Sequence, residues 1–161
     1  MPFSTPVALQ PATIQWLLNH SFDPQQPAMA WRYQDTALIT ACRQGEEAIV
    51  NDLLTLGATQ VAINHRNMDG TNALWAAIVA DSFVIAEALL AAGININNLN
   101  DHGASVLMYA ASAGKTGWVS WLLEKGVDTR AETLDGFTAL DLDANIDCLR
   151  LLKAAHRAET A

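Results

Sequence analysis

The 161-residue chain is 51% hydrophobic and 16% charged, which supplies enough apolar surface for a core and excludes a disordered polymer. Its formal net charge of −8 sets nine Lys and Arg against 17 Asp and Glu; phosphate binding draws on clustered cations, so nucleic acid is disfavoured and a neutral or basic protein surface is easier to accommodate. No apolar run approaches the roughly 18–20 residues of a membrane helix, and the opening "MPFSTPVALQPATIQWLLNH" lacks the marks of a secretory signal, so no membrane association and a cytoplasmic location are expected.

The first helical segment is "TIQWLLNH" (13–20), whose Leu17–Leu18 pair stands 36 residues before Leu53–Leu54. All five prolines, at 2, 6, 11, 24 and 27, lie in or beside it, and residues 1–30 read as an N-terminal helical cap. Beyond it the chain repeats itself. A small polar residue, an aliphatic residue and leucine recur as "TAL" (36–38), "NAL" (72–74), "SVL" (105–107) and "TAL" (138–140), at intervals of 36, 33 and 33. Self-similarity at such a period is the mark of a repeat architecture. Thr36, Asn72, Ser105 and Thr138 stand where a side chain caps an orphan backbone N–H, which predicts first helices over 36–44, 72–80, 105–113 and 138–144. Second helices follow a tight turn, over 46–56, 82–92, 116–125 and 146–156. Their leucine pairs Leu53–Leu54, Leu89–Leu90 and Leu122–Leu123 are expected to face the stack, and Gly57, Gly93 and Gly126 to close them in the left-handed conformation. The joining segments are loops, because the three extra residues of the first interval fall in "GATQVAINHRNMDG" (57–70), and "DG" at 69–70 and 135–136 signals hairpin turns. From Leu140 to Leu151 is 11 residues, against 15 from Leu107 to Leu122. The last repeat must therefore lose about one helical turn and, with Asp141, Asp143 and Asp147 on its outer side, end the stack as a C-terminal cap. Residues 157–161 read as a flexible tail.

The run "DGTNALWAAIVADSFVIAEALLAAGININ" (69–97) resembles an ankyrin repeat, and turn, cap, paired leucines and closing glycine recur in register over residues 31–130 and, shortened, over 131–156. The resemblance implies an all-α fold, an ankyrin-repeat solenoid of about four helix-turn-helix units over 31–156, joined by protruding hairpin-like loops. The chain departs from the family's T-P-L-H helix start. Its repeats carry Ala37, Ala73, Val106 and Ala139 in place of the proline, and Ile39, Trp75, Met108 and Asp141 in place of the histidine. Proline at the first helical position is pre-organised for the turn, and the family's histidine bridges neighbouring loops, so lower rigidity is expected.

What the resemblance implies about function is a non-catalytic protein–protein interaction module that binds and scaffolds or regulates a cytoplasmic partner through the concave face of loop tips and first helices. Carried onto this chain, the partner-binding positions are Arg32, Tyr33 and Asp35, then Met68, Asp69 and Thr71, then Asp101, His102 and Ala104, then Leu134, Asp135 and Phe137. Arg43 and Gln44, Val79 and Ala80, and Ser112 and Ala113 are the matching positions at the ends of the first helices. Tyr33, Met68 and Phe137 are the apolar anchors, while Asp69 and Asp135 also suit turn geometry. Gln34 replaces a turn glycine. "NINNLNDH" (95–102) is read as a segment that holds a tip outward. Self-association of the stack is a variant of this reading.

The alternative is an enzyme or small-molecule-binding protein that uses the concave groove. Nothing in the sequence pairs a nucleophile with histidine or spaces ligands for a metal, so no catalytic residue, metal or cofactor is expected. His65 and His102 lack a carboxylate or cysteine at ligand spacing and read as solvated loop residues. "SAGKTG" (112–117) has Tyr109 where a phosphate loop needs glycine. Cys42 and Cys148 fall in the first and last repeats, beyond the roughly 7 Å reach of a disulfide, and read as buried free thiols.

Overall fold

The computed structural model describes residues 9–160. Residues 1–8 of the expected N-terminal cap, with Pro2 and Pro6, and residue 161 of the expected tail lie outside the described residues. The described chain forms helices α1 (Pro11–Asn19), α2 (Ala37–Arg43), α3 (Glu47–Leu54), α4 (Ala73–Val79), α5 (Phe83–Ala91), α6 (Val106–Ser112), α7 (Thr116–Glu124) and α8 (Ile146–Thr160). The strands among the described residues are the two-residue β1 (Ala30–Trp31) and β2 (Asp35–Thr36), paired antiparallel as Ala30 with Thr36 and Trp31 with Asp35. Two compact units result, Met1–Asn95 and Ile96–Ala161.

In the first unit the short helices α2 and α4 start at side-chain caps. Thr36 Oγ1 accepts from the Ile39 N–H at 3.2 Å, and Asn72 Oδ1 accepts from Leu74 and Trp75 at 3.1 and 3.4 Å. Both helices are rich in alanine, and Ala37, Ala41, Ala73, Ala76 and Ala77 are buried where α2 lies against α4. Small side chains permit that close approach of backbones. The second row is α1, α3 and α5, each packed on the next. Pro11 opens α1 at its first turn, where the missing N–H costs nothing. Leu17, Leu53 and Leu89 are fully buried, whereas Leu18 is exposed and Leu54 and Leu90 are half-buried. Only the first leucine of each pair faces the core, since consecutive helical residues point about 100° apart. Each buried leucine contributes about 1.5–3 kcal/mol.

The second unit begins with α6, capped by Ser105 Oγ accepting from Met108 at 3.2 Å, and continues through α7, on which α8 packs. Met108, Trp118, Leu122, Cys148 and Leu152 build its core. Trp118 meets Trp121 edge to face at 5.4 Å between ring centroids. The helix expected over 138–144 is absent. Residues 138–142 make two successive tight turns instead, with Asp141 N–H donating to the Thr138 carbonyl and Leu142 to Ala139, both at 3.1 Å. Thr138 and Asp141 still form the reciprocal cap of a helix start, the Asp141 carboxylate accepting from the Thr138 N–H and hydroxyl at 2.9 and 3.0 Å, but the chain leaves the helical ladder by Ala144, whose N–H donates to the Ala111 carbonyl at 2.9 Å. Asn145 then caps α8 through the Cys148 N–H at 2.8 Å. The helix runs through 157–160, where a tail was expected. In this last repeat Leu152 is buried and Leu151 half-buried; Leu152 follows the cap Asn145 at the same distance as Leu89 follows Ser82 and Leu122 follows Lys115, so the register of the second helix is kept. Cys42 and Cys148 are both free and buried.

Candidate functional site

The loop tips repeat one hydrogen-bonding pattern. Asn67 Oδ1 accepts from the N–H groups of Asp69 and Thr71 and from the Thr71 hydroxyl, each at 3.0 Å. Asn100 Oδ1 does the same for His102 and Ala104 at 2.9 Å, and Thr133 Oγ1 accepts from Phe137 at 3.0 Å. The side chain at the start of the turn thus satisfies donors that the turn leaves without a backbone partner. The first tip is built differently: β1 and β2 flank a turn in which Tyr33 and Gln34 have φ of 56° and 61°. That left-handed pair performs without glycine what Gly70, Gly103 and Gly136 do in the later tips.

Neighbouring tips are stapled within each unit. In the first, the Met68 N–H donates to the Tyr33 carbonyl at 2.8 Å, His65 Nε2 bonds the Gln34 carbonyl at 2.7 Å, and the Asn95 N–H donates to Asn64 Oδ1 at 2.7 Å. The second unit matches this: Leu134 donates to the His102 carbonyl at 3.0 Å, and Asp128 to Asn97 Oδ1 at 2.8 Å. The approach is close enough that a Cβ on Gly103 would stand 3.1 Å from Leu134 N. Bridges between loops, whose loss was expected with the missing histidines, are supplied by Asn64, His65, Asn97 and the tip backbone. His65 is accordingly half-buried and bonded, not a solvated loop residue.

The predicted partner positions divide between the units. Tyr33 and Met68 are brought together by their backbone bond and are 69% and 56% exposed; Arg32 and Asp69 are exposed beside them. Leu134, 80% exposed, lies with His102 on the stapled tips of the second unit, with Asp101, Asp135 and Phe137 exposed on the same turns. Thr71 is half-buried and its hydroxyl is used within its own turn. Asp35 is buried at 6% exposure. Its carboxylate binds Arg43 at 2.7 and 3.3 Å and accepts from Asn67 Nδ2 at 2.9 Å, so it fixes Arg43 rather than facing outward. Among the first-helix ends, Gln44, Val79, Ser112 and Ala113 are exposed and Ala80 is half-buried. Sequence reasoning missed the exposed Trp31 and the frame residues Asn64, Asn67, Asn97 and Asn100. The recurrence of N-x-x-N at 64–67 and 97–100 carried that signal.

Burial pushes the Cys42 thiol well above its ordinary range, against the opposing pull of the Arg43 charge, so it is an inert core residue. Among the described residues, no group of three or more His, Cys, Asp or Glu side chains could hold a metal ion, and no helix is long and apolar enough to cross a membrane.

Models of ankyrin repeats match the chain over residues 8–100 in a three-copy form and over 89–142 in a many-copy form. The chain belongs to the ankyrin-repeat family. It is 38% identical over 76 residues to the RelA-associated inhibitor of Mus musculus, a match spanning 47% of this chain and 9% of that protein. A putative ankyrin repeat protein of Fowlpox virus (strain NVSL) is 35% identical over 78 residues, 47% of this chain and 12% of the relative. An E3 ubiquitin-protein ligase of Arabidopsis thaliana is 32% identical over 103 residues, 64% of this chain and 6% of the relative. The ankyrin-repeat chain therefore spans only a small part of the length of these relatives. Ankyrin repeats are protein–protein interaction modules and generally non-catalytic, and the all-α solenoid class expected for this chain is the family's.

Proposed function

We infer that this ankyrin-repeat chain is a non-catalytic binding module that holds a cytoplasmic protein against its loop tips and first helices, scaffolding or regulating it. The observation that carries the reading is the stapled pair of tips in each unit. Tyr33 and Met68 in one, Leu134 and Phe137 in the other, are large apolar side chains held in solvent on a hydrogen-bonded backbone. An apolar group exposed on a frame already ordered loses little entropy on binding, and interfaces concentrate their free energy in a few such anchors. The net charge of −8 favours a neutral or basic partner, and a second copy of the chain is one protein the same tips can engage. The relative named RelA-associated inhibitor supports a regulatory role for the bound state. The test is capture of partner protein by the tagged chain from its native lysate, repeated with variants. Tyr33→Ala, Met68→Asp and Phe137→Ala are expected to lose the captured protein while Glu87→Lys and Glu124→Lys, on exposed second-helix positions, retain it. Capture that survives all tip changes and is lost with the helix changes overturns the reading.

A further inference from the structure

The first unit contains a cavity of about 360 Å³ between the turn after α1, the β1–β2 tip and the end of α2. Its volume lies at the low end of the roughly 300–1,000 Å³ of ligand clefts, too small to seat a helix. Phe22, Trp31 and Tyr33 contribute aromatic walls, and Arg32 and Arg43 line it with them. Residues 1–95 contain three basic side chains, Arg32, Arg43 and Arg66, against eight Asp and Glu. Two of those three cations border this one cavity. The carboxylate in its lining, Asp35, is already committed to Arg43 and Asn67.

Asp35 orients the Arg43 guanidinium without consuming it. Two of its nitrogens face the carboxylate, and the side chain remains 43% exposed, so other N–H donors of the fork point elsewhere. Arg32 is exposed and has no ion-pair partner among the described residues. A planar, charge-delocalised fork beside aromatic faces matches a carboxylate carried next to an apolar side chain, which the fork can bind through two parallel hydrogen bonds. We propose that this cavity seats a carboxylate of the bound protein, from an Asp or Glu side chain or a chain end, together with the apolar residue beside it.

The inference rests on the binding-module reading and names part of what is bound. It also reconciles two charges: the surface at −8 selects a partner neutral or basic overall, while the arginine-lined cavity selects one acidic group within it. Long-range steering and a short-range anchor are separate terms, because exposed charges are screened beyond roughly 8–10 Å at physiological salt.

Two short peptides capped at both ends, alike except for glutamate or glutamine between two leucines, are titrated into the isotope-labelled full chain and followed by NMR. A third peptide ends in leucine with a free carboxylate, and inorganic phosphate is the fourth probe. Saturable shifts at Phe22, Trp31, Arg32 and Arg43 are expected from a carboxylate peptide, with about tenfold weaker binding of the glutamine peptide, the loss of one charge-assisted bond. The tighter of the two carboxylate peptides names the source. Arg32→Gln and Arg43→Lys should each weaken it about tenfold, the second because an ammonium keeps the charge and loses the fork. Arg32 is exposed and has no ion-pair partner among the described residues, so its variant reports on binding even if changing Arg43 disturbs Asp35; circular dichroism checks both. Equal binding of glutamate and glutamine peptides, shifts outside the cavity, no saturable shift from either carboxylate peptide, or phosphate binding as tight as the peptides overturns the proposal. Capture of the native partner that is lost with Met68→Asp and Phe137→Ala but unaffected by Arg32→Gln overturns this inference alone and leaves the binding module standing.

Discussion

Gln34 shows how one residue can be wrong for its place locally and still be retained. With φ of 61°, next to Tyr33 at 56°, it holds a conformation that costs a residue with a Cβ about 1–2 kcal/mol, while its carbonyl accepts the His65 bond. Gln34→Gly relieves that cost and keeps the carbonyl, against about 0.5–1 kcal/mol of added chain entropy in the unfolded state. A net gain of about 0.5–1 kcal/mol is expected, read as a higher denaturant midpoint with an unchanged slope; a lower midpoint would show the turn is not strained. The opposite case is Gly93, with φ of 96° and nothing within 4 Å of an added Cβ. Its penalty on substitution is therefore backbone strain alone. Gly93→Val should destabilise by more than about 1 kcal/mol, and a thermal midpoint equal to that of the parent would refute the left-handed closure of α5.

The helix starts and the tip frames are where local sequence and packing agree most closely. Asn72 and Ser105 are extended, with ψ of −174° and 168°, as the residue before a proline must be. Ala73 and Val106 occupy the first helical position, where the N–H has no intrahelical partner. Ala73→Pro and Val106→Pro should each stabilise by roughly 0.4–1 kcal/mol by restricting the unfolded chain; midpoints that fall in both proteins would contradict the cap geometry. In the tip, Asn67 accepts three bonds and donates one to Asp35. Asn67→Ala leaves the Asp69 and Thr71 donors and one Asp35 oxygen without that partner, at a cost of about 1–3 kcal/mol. Faster amide exchange at Asp69 and Thr71 would accompany it, and unchanged exchange would show that the tip holds by backbone alone.

For binding, the informative comparison sets apolar tips against charged helix faces. Truncating an anchor at a well-packed interface costs about 2 kcal/mol or more, whereas a rim charge mainly alters association rate and salt dependence. Calorimetry with the captured partner should therefore show Tyr33→Ala, Met68→Asp and Phe137→Ala each weakening affinity by roughly thirtyfold, with circular dichroism unchanged. Glu87→Lys and Glu124→Lys should stay within about threefold and shift the salt dependence. Losses of similar size in both groups would place the interface elsewhere.

Repetition made most of this protein readable before any coordinates. Thr36, Asn72 and Ser105 recur at the repeat period with a leucine two residues on, and a cap is a local device whose hydrogen bond closes within a single turn. The helices, the closing glycines and the family resemblance all followed from such short-range signals. Where the reading failed, the deciding bonds ran to groups remote in sequence. Thr138 and Asp141 carry the cap of a helix start, yet the Ala144 N–H bonds the Ala111 carbonyl of the preceding repeat instead of extending a helix. Asp35 looked like a surface charge, yet Asn67, 32 residues away, and Arg43 hold it inside. The asparagines of 95–102 were correctly read as turn formers, but Asn97 reaching Asp128 is a bond between consecutive repeats, and no periodicity states which neighbour a side chain will meet. The arginine-lined cavity is likewise a product of folding, because it joins the turn after α1, the first tip and the end of α2, segments whose proximity is set by packing rather than by order along the chain.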